Sequence, residues 1–135
     1  MTQEEYVSDA VDLLKKLIAT PSVSRNEKEA ADIMEQTIRK YGFEPHREAN
    51  NIWIIDPHYD ESRPTLLLNA HIDTVKPVAS WTRDPFSPDV EDGVLYGLGS
   101  NDCGGGLCSL LQIFRMLTKK SQHYNLIYLA SAEEE

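Results

Sequence analysis

Apolar residues recur at helical spacing over residues 4–19, where Tyr6, Val7, Ala10, Val11, Leu13, Leu14, Leu17 and Ile18 form one stripe. Thr20-Pro21 ends that helix, because the residue before a proline is pushed out of helical angles. A second helix follows, with Ser22 or Ser24 as its cap and Glu27 in its first turn. Its buried stripe is Ala30, Ala31, Ile33, Met34, Ile38 and Tyr41, and Gly42 is a suitable stop. Short strands are predicted at 43–47 and 52–56, on either side of an Asn50-Asn51 turn. The acidic, proline-containing stretch 57–64 reads as a surface loop. Residues 65–70 make a nearly unbroken apolar run, which predicts a strand buried on both faces.

Pro77, Pro85 and Pro88 make 74–89 a long loop, and 90–96 reads as a hairpin turning at Asp92-Gly93. A third helix is predicted over 104–119, with Leu107, Leu110, Leu111, Phe114 and Leu117 facing inward. The apolar strand 124–131 then runs into Glu133-Glu134-Glu135. Strands alternating with helices predict an α/β layer fold with no internal repeat or linker. In such sheets ligands gather at the carboxyl ends of the strands.

The chain's 135 residues suffice for one domain with a core. Its 22 acidic and 13 basic residues leave a net charge of −9, which argues against nucleic acid or an anionic membrane as a partner. The first residues carry acids and no apolar h-region, and no apolar run reaches the roughly 20 residues of a membrane helix. A soluble, cytoplasmic protein is expected. Cys103 and Cys108, five apart, match neither CxxC nor a disulfide framework.

Three polar clusters each follow a predicted strand. His71-Ile72-Asp73 follows 65–70, and on extended backbone residues two apart share a side, so Asp73 can support His71 or lie alongside it. Alone, the pair also reads as a surface His-Asp. The glycine-rich stretch 97–106 lacks a phosphate-loop pattern: Asp102 stands where a dinucleotide fingerprint needs glycine, and Gly105 where a P-loop needs lysine. Its glycines suit a sharp bend that presents Asp102, or a purely structural turn. Glu133-Glu134-Glu135 reads alone as a solvated acidic end; beside a metal, one carboxylate can ligate while its neighbour carries a proton. Together the clusters gather one imidazole and several carboxylates, a donor set for zinc, cobalt or manganese. His46, His58 and His123 have no partner spacing, Cys103 reads as a spectator thiol, and Trp53 and Trp81 as packing residues.

These motifs resemble the dinuclear zinc hydrolases that include acetylornithine deacetylase, succinyl-diaminopimelate desuccinylase, aminoacylase and carboxypeptidase G. The resemblance runs from about residue 9 onward and rests on 66–75, 81–86, 97–102 and 132–135, with acetylornithine deacetylase as the nearest subgroup. It implies a three-layer α/β catalytic domain with a mixed, largely parallel central sheet, of which residues 1–135 form an incomplete N-terminal portion. It makes His71 and Glu135 ligands of the two zincs (cobalt or manganese being alternatives), Asp102 the bridging carboxylate, Asp73 the support of His71, and Glu134 the general base. It also implies a cis peptide at Asp102-Cys103. The remaining ligands and a lid or dimerisation domain would lie beyond Glu135. Two positions depart from the family pattern: Leu98 stands where arginine is frequent, and Glu133 where aspartate is usual. The implied activity is hydrolysis of an N-acyl amino acid such as N-acetylornithine by a zinc-activated water, in arginine biosynthesis, by a homodimeric full-length enzyme. The alternative is a catalytically silent module that binds metal weakly or pairs with another chain through an exposed sheet edge or face.

Overall fold

Helix α1 (Gln3–Ile18) begins at a capping box: Thr2 accepts from the Glu5 N–H, and the Glu5 carboxylate accepts from the Thr2 N–H at 2.7 Å. The computed structural model describes residues 1–135 throughout. Helix α2 (Lys28–Lys40) has Glu27 at its N-cap and no side-chain cap, so neither Ser22 nor Ser24 plays the expected part. Backbone pairing has taken that segment instead. The Ser22 carbonyl accepts from the Thr74 N–H at 2.9 Å, and the Ser24 N–H donates to the Thr74 carbonyl at 3.1 Å. Residues 22–24 thereby lie against the polypeptide just past His71.

Four strands form the main sheet: β1 (His46–Glu48), β2 (Asn51–Ile55), β3 (Thr65–His71) and β6 (Asn125–Ser131), in the order β1-β2-β6-β3. β4 (Val90–Glu91) and β5 (Val94–Leu95) make a separate hairpin. Asp92 and Gly93 there have φ of 51° and 78°, the positive pair that a tight two-residue turn demands. The main sheet is mixed, as expected. Only β3–β6 is parallel, however, while β1–β2 and β2–β6 are antiparallel, so "largely parallel" does not describe these strands. The parallel register pairs Ala70 with Ala130 and His71 with Ser131. Both strands therefore end at one level, and the two clusters that follow them emerge side by side.

The core lies on one face of the sheet. Ile52, Ile54, Leu126, Tyr128 and Ala130 pack there against Ala31, Met34 and Ile38 of α2 and Leu107, Leu111 and Phe114 of α3 (Gly105–Leu117). α1 packs over α3. The Tyr128 hydroxyl is wholly buried and donates to the Leu107 carbonyl at 2.8 Å, which satisfies it. Phe43 meets Phe114 edge-on, with centroids 5.3 Å apart. Ile54 sits in this close-packed layer at 1% exposure, so Ile54→Val, which removes one methylene, is expected to lower unfolding free energy by about 0.5–1.5 kcal/mol in urea denaturation.

The opposite face carries Trp53, Ile55, Leu67, Ile127 and Leu129, as the strand registers require. No helix covers it. Leu67 on this face is 53% exposed, so β3 is an edge strand with one open face rather than the doubly buried strand expected. These residues form two layers; the third belongs to nothing in this chain. His46 stacks on Trp53 at 5.6 Å on the same open side. No helix is long and apolar enough to cross a membrane.

Candidate metal centre

β3 delivers His71 as its last residue, and the ring is nearly buried. Its Nδ1 lies 2.8 Å from the main-chain carbonyl of Asp73, an arrangement in which Nδ1–H donates and Nε2 is the nitrogen that faces the cluster. The Asp73 carboxylate was expected to be the main support of this ring. Its Oδ1 is 3.5 Å from Nδ1, farther than the carbonyl, and its two oxygens accept instead from the Glu134 N–H (3.1 Å) and the Glu135 N–H (2.9 Å). Asp73 thus holds the histidine through its backbone and the glutamates through its side chain. Burial alone would raise its pKa, but the N–H groups of Glu135 and Glu134 carry it below the ordinary value.

The glycine-rich stretch bends as its composition suggests. Gly99 has φ of 81°, and a Cβ there would meet Thr74 Cγ2 at 2.6 Å. A Cβ on Gly104 would meet the Gly99 carbonyl oxygen at 2.6 Å. Between them Asp102 and Cys103 leave helical angles, and the peptide joining them is cis, as the resemblance implied. The bend puts Asp102 Oδ1 2.9 Å from His71 Nε2, with the Asp102 side chain 73% exposed. Cys103 is turned the other way: its sulfur receives the His71 N–H at 3.2 Å and adjoins the His71 carbonyl. Burial pushes its thiol pKa up, consistent with a spectator. Leu98, the departure from the family's arginine, borders a small apolar crevice with Leu14, Leu17 and Ile72, where a leucine packs well.

The acidic end of β6 completes the cluster. A Glu134 oxygen lies 3.6 Å and a Glu135 oxygen 3.9 Å from His71 Nε2. One donor atom each from His71, Asp102 and Glu135 lie within 4.8 Å of one another. Burial, followed by the Asp102 charge, raises the Glu135 pKa. Burial would lower the His71 pKa, but its bonds to Asp102 and Asp73 and the charges of Asp73 and Glu134 raise it overall. Three carboxylates thus face a single imidazole nitrogen. A divalent cation fits that arrangement: the donor set is hard oxygen plus imidazole, and the Nε2 lone pair is already oriented from behind. Elsewhere, His58 Nε2 contacts the Thr118 carbonyl at 3.0 Å and plays no part here.

Sequence reasoning thus named His71, Asp73, Asp102, Glu134 and Glu135, and the structure brings all five together. It missed Glu27, which is fully buried and accepts the Glu133 N–H at 2.9 Å.

Comparison with known proteins agrees with this arrangement. Residues 67–135, which hold all five of those residues, match peptidase family M20/M25/M40. The succinyl-diaminopimelate desuccinylase of Xylella fastidiosa is 33% identical over 96% of this chain and 36% of its own length. An M20 family metallo-carboxypeptidase of Sulfolobus solfataricus superposes with a TM-score of 0.74 at 27% identity, over 99% of this chain and 31% of that one. A dipeptidase of Saccharomyces cerevisiae shares the fold, with a TM-score of 0.75 at 21% identity, over 97% of this chain and 33% of its own. The chain therefore spans about a third of the length of the proteins it matches. Acetylornithine deacetylase is not the subgroup these relatives point to, and the place in arginine biosynthesis loses its support with it. With the donor cluster, the α/β fold and the match over the second half of the sequence in agreement, the chain belongs to peptidase family M20/M25/M40, a family of metal-dependent amide-bond hydrolases.

Proposed function

We propose that this chain is the N-terminal part of a catalytic domain that hydrolyses the amide bond of an N-acyl amino acid. The observation that carries this is the convergence of His71, Asp102, Glu134 and Glu135 at the common end of the parallel pair β3–β6. His71, Asp102 and Glu135 would hold the metal. Zinc is the first choice, with cobalt and manganese compatible with the same donors. A metal held by these residues would supply a water of lowered pKa, about 7, and polarisation of the scissile carbonyl.

The chain's own residues do the rest. The Glu134 carboxylate is more than half exposed and close to the centre without being its nearest donor, a position suited to taking the proton of the attacking water and passing it to the departing amine. His71 is held by the Asp73 carbonyl in the tautomer that offers Nε2. The names of the relatives favour an N-succinyl diamino acid over N-acetylornithine as substrate. Cytoplasmic location and dimerisation of the whole protein are parts of the same proposal.

A second reading has its own support: the three residues proposed as ligands, His71, Asp102 and Glu135, are too few to fill the coordination of two ions, and one sheet face is open. On that reading the chain alone is silent and acts by binding metal weakly or by pairing. Two measurements separate the readings. Cobalt titration followed by visible absorption should show binding by the protein and a loss of at least 10-fold in affinity in His71→Ala. Hydrolysis of N-succinyl-diaminopimelate and N-acetylornithine by the whole protein, abolished by a chelator, supports the hydrolase. Cobalt binding with no turnover of either substrate favours the silent module.

A further inference from the structure

Glu27 is wholly buried, stands at the N-terminus of α2, and does not cap its own helix. One oxygen accepts the Glu133 N–H at 2.9 Å across 106 residues of sequence, and the other has no hydrogen-bond partner. Burying a carboxylate this way is costly unless it is used. The positive end of the α2 dipole offsets part of that cost.

What it holds is unusual backbone. Glu133 has φ of 55°, the left-handed region that a residue with a Cβ rarely enters because the Cβ crowds the following carbonyl oxygen. That reversal turns the chain out of β6 and aims the next two glutamates at the cluster. All four N–H groups of this exit are received by side-chain oxygens from elsewhere in the chain. Ala132 donates to Asn51 (2.8 Å), Glu133 to Glu27, and Glu134 and Glu135 to Asp73. The segment before Glu27 is itself laced to residues 72–74, through the Ser22 and Ser24 backbones and the Ser22 hydroxyl on the Ile72 carbonyl at 3.4 Å.

We infer that Glu27 is a positioning residue for the reaction: it fixes the left-handed Glu133 and so sets where Glu134 and Glu135 stand relative to His71. Its meaning for catalysis rests on the proposed metal centre, but its effect on the backbone does not. Asp73 fixes the two glutamate amides from one side and Glu27 fixes the turn that precedes them, so the exit has anchors on two independent elements. Glutamine preserves both the length and the accepting oxygen of Glu27, whereas alanine removes the acceptor.

The test compares Glu27→Ala with Glu27→Gln in the protein, first without metal, by amide hydrogen exchange read residue by residue. Glu27→Ala should speed exchange at Glu133, Glu134 and Glu135 by at least 10-fold while Tyr128 in the sheet stays protected, and Glu27→Gln should stay within about threefold of the unaltered protein. The inference is overturned if Glu27→Ala leaves Glu134 and Glu135 unchanged, if Tyr128 loses protection equally, or if Glu27→Gln behaves as Glu27→Ala. A cobalt titration then reads the site itself, with affinity about 10–100-fold weaker in Glu27→Ala and recovered in Glu27→Gln. Failure of the unaltered protein to bind cobalt would refute the metal centre, and is separate from the exchange result, which decides the anchor.

Discussion

Glu134→Ala in the whole protein is expected to lower kcat by about 10²–10⁴-fold, with KM changed by less than about threefold. The split follows from where Glu134 stands. Its carboxylate is more than half exposed and lies 3.6 Å from His71 Nε2, whereas Asp102 is at 2.9 Å. Removing it leaves His71, Asp102 and Glu135 to bind metal, so ground-state binding should survive while proton transfer does not. Glu134→Gln is the sharper variant, because it keeps the shape and removes only the basicity. Steady-state kinetics on the preferred N-acyl amino acid decide the matter, together with metal content by atomic spectroscopy. Turnover within threefold of the unaltered enzyme at full metal content would remove Glu134 from the role of base. A parallel loss of metal would recast it as a ligand.

How much of this was legible beforehand depends on how local each cause was. The stripes of α1, α2 and α3 are set by residues three and four apart, and the helices end within a residue or two of where the spacing places them. The Asp92-Gly93 turn is likewise written in two residues. By contrast, the apolar run of β3 says only that its side chains avoid water. Whether Leu67 is covered depends on what lies on the far face of the sheet, and no nearby residue reports that. The order of strands was also hidden, since β6 inserts between β2 and β3, antiparallel to the first and parallel to the second.

The site shows the same division. His71 could be named because it ends an apolar strand and Glu134 and Glu135 because they follow another, and parallel β3 and β6 bring those ends together, while Asp102 arrives on the glycine-rich bend. The cis peptide and the particular roles came from the family resemblance rather than from spacing. That the Asp73 carboxylate also accepts from amides 61 and 62 positions away could not be read from spacing. Glu27 could be seen only as an acid at a helix start, since its partner lies 106 residues on. Ligating residues leave a composition signal at strand ends; the residues that hold them in place leave almost none.

Asp73→Ala should destabilise the metal-free protein by about 2–4 kcal/mol, because it strips two partly buried amides of a charged acceptor at once. Asp73 has no exposure, and its two oxygens are shared between the Glu134 and Glu135 N–H groups at 3.1 and 2.9 Å. Asp73→Asn should recover only part of the loss, since one of its two terminal groups becomes a donor facing a donor. Acidity supplies an independent reading. The carboxyl is held below its ordinary value of 3.8 in the folded chain. Its contribution is therefore complete above that value and disappears as pH falls through the lower folded value. Denaturant midpoints measured from pH 6 down to pH 2 should thus fall more steeply in the unaltered protein than in Asp73→Asn, so that the two curves converge toward the acid end. Parallel curves, or a loss in Asp73→Ala below about 1 kcal/mol, would mean that the amides find other acceptors. In that case the geometry of the acidic exit would depend on Asn51 and Glu27 alone.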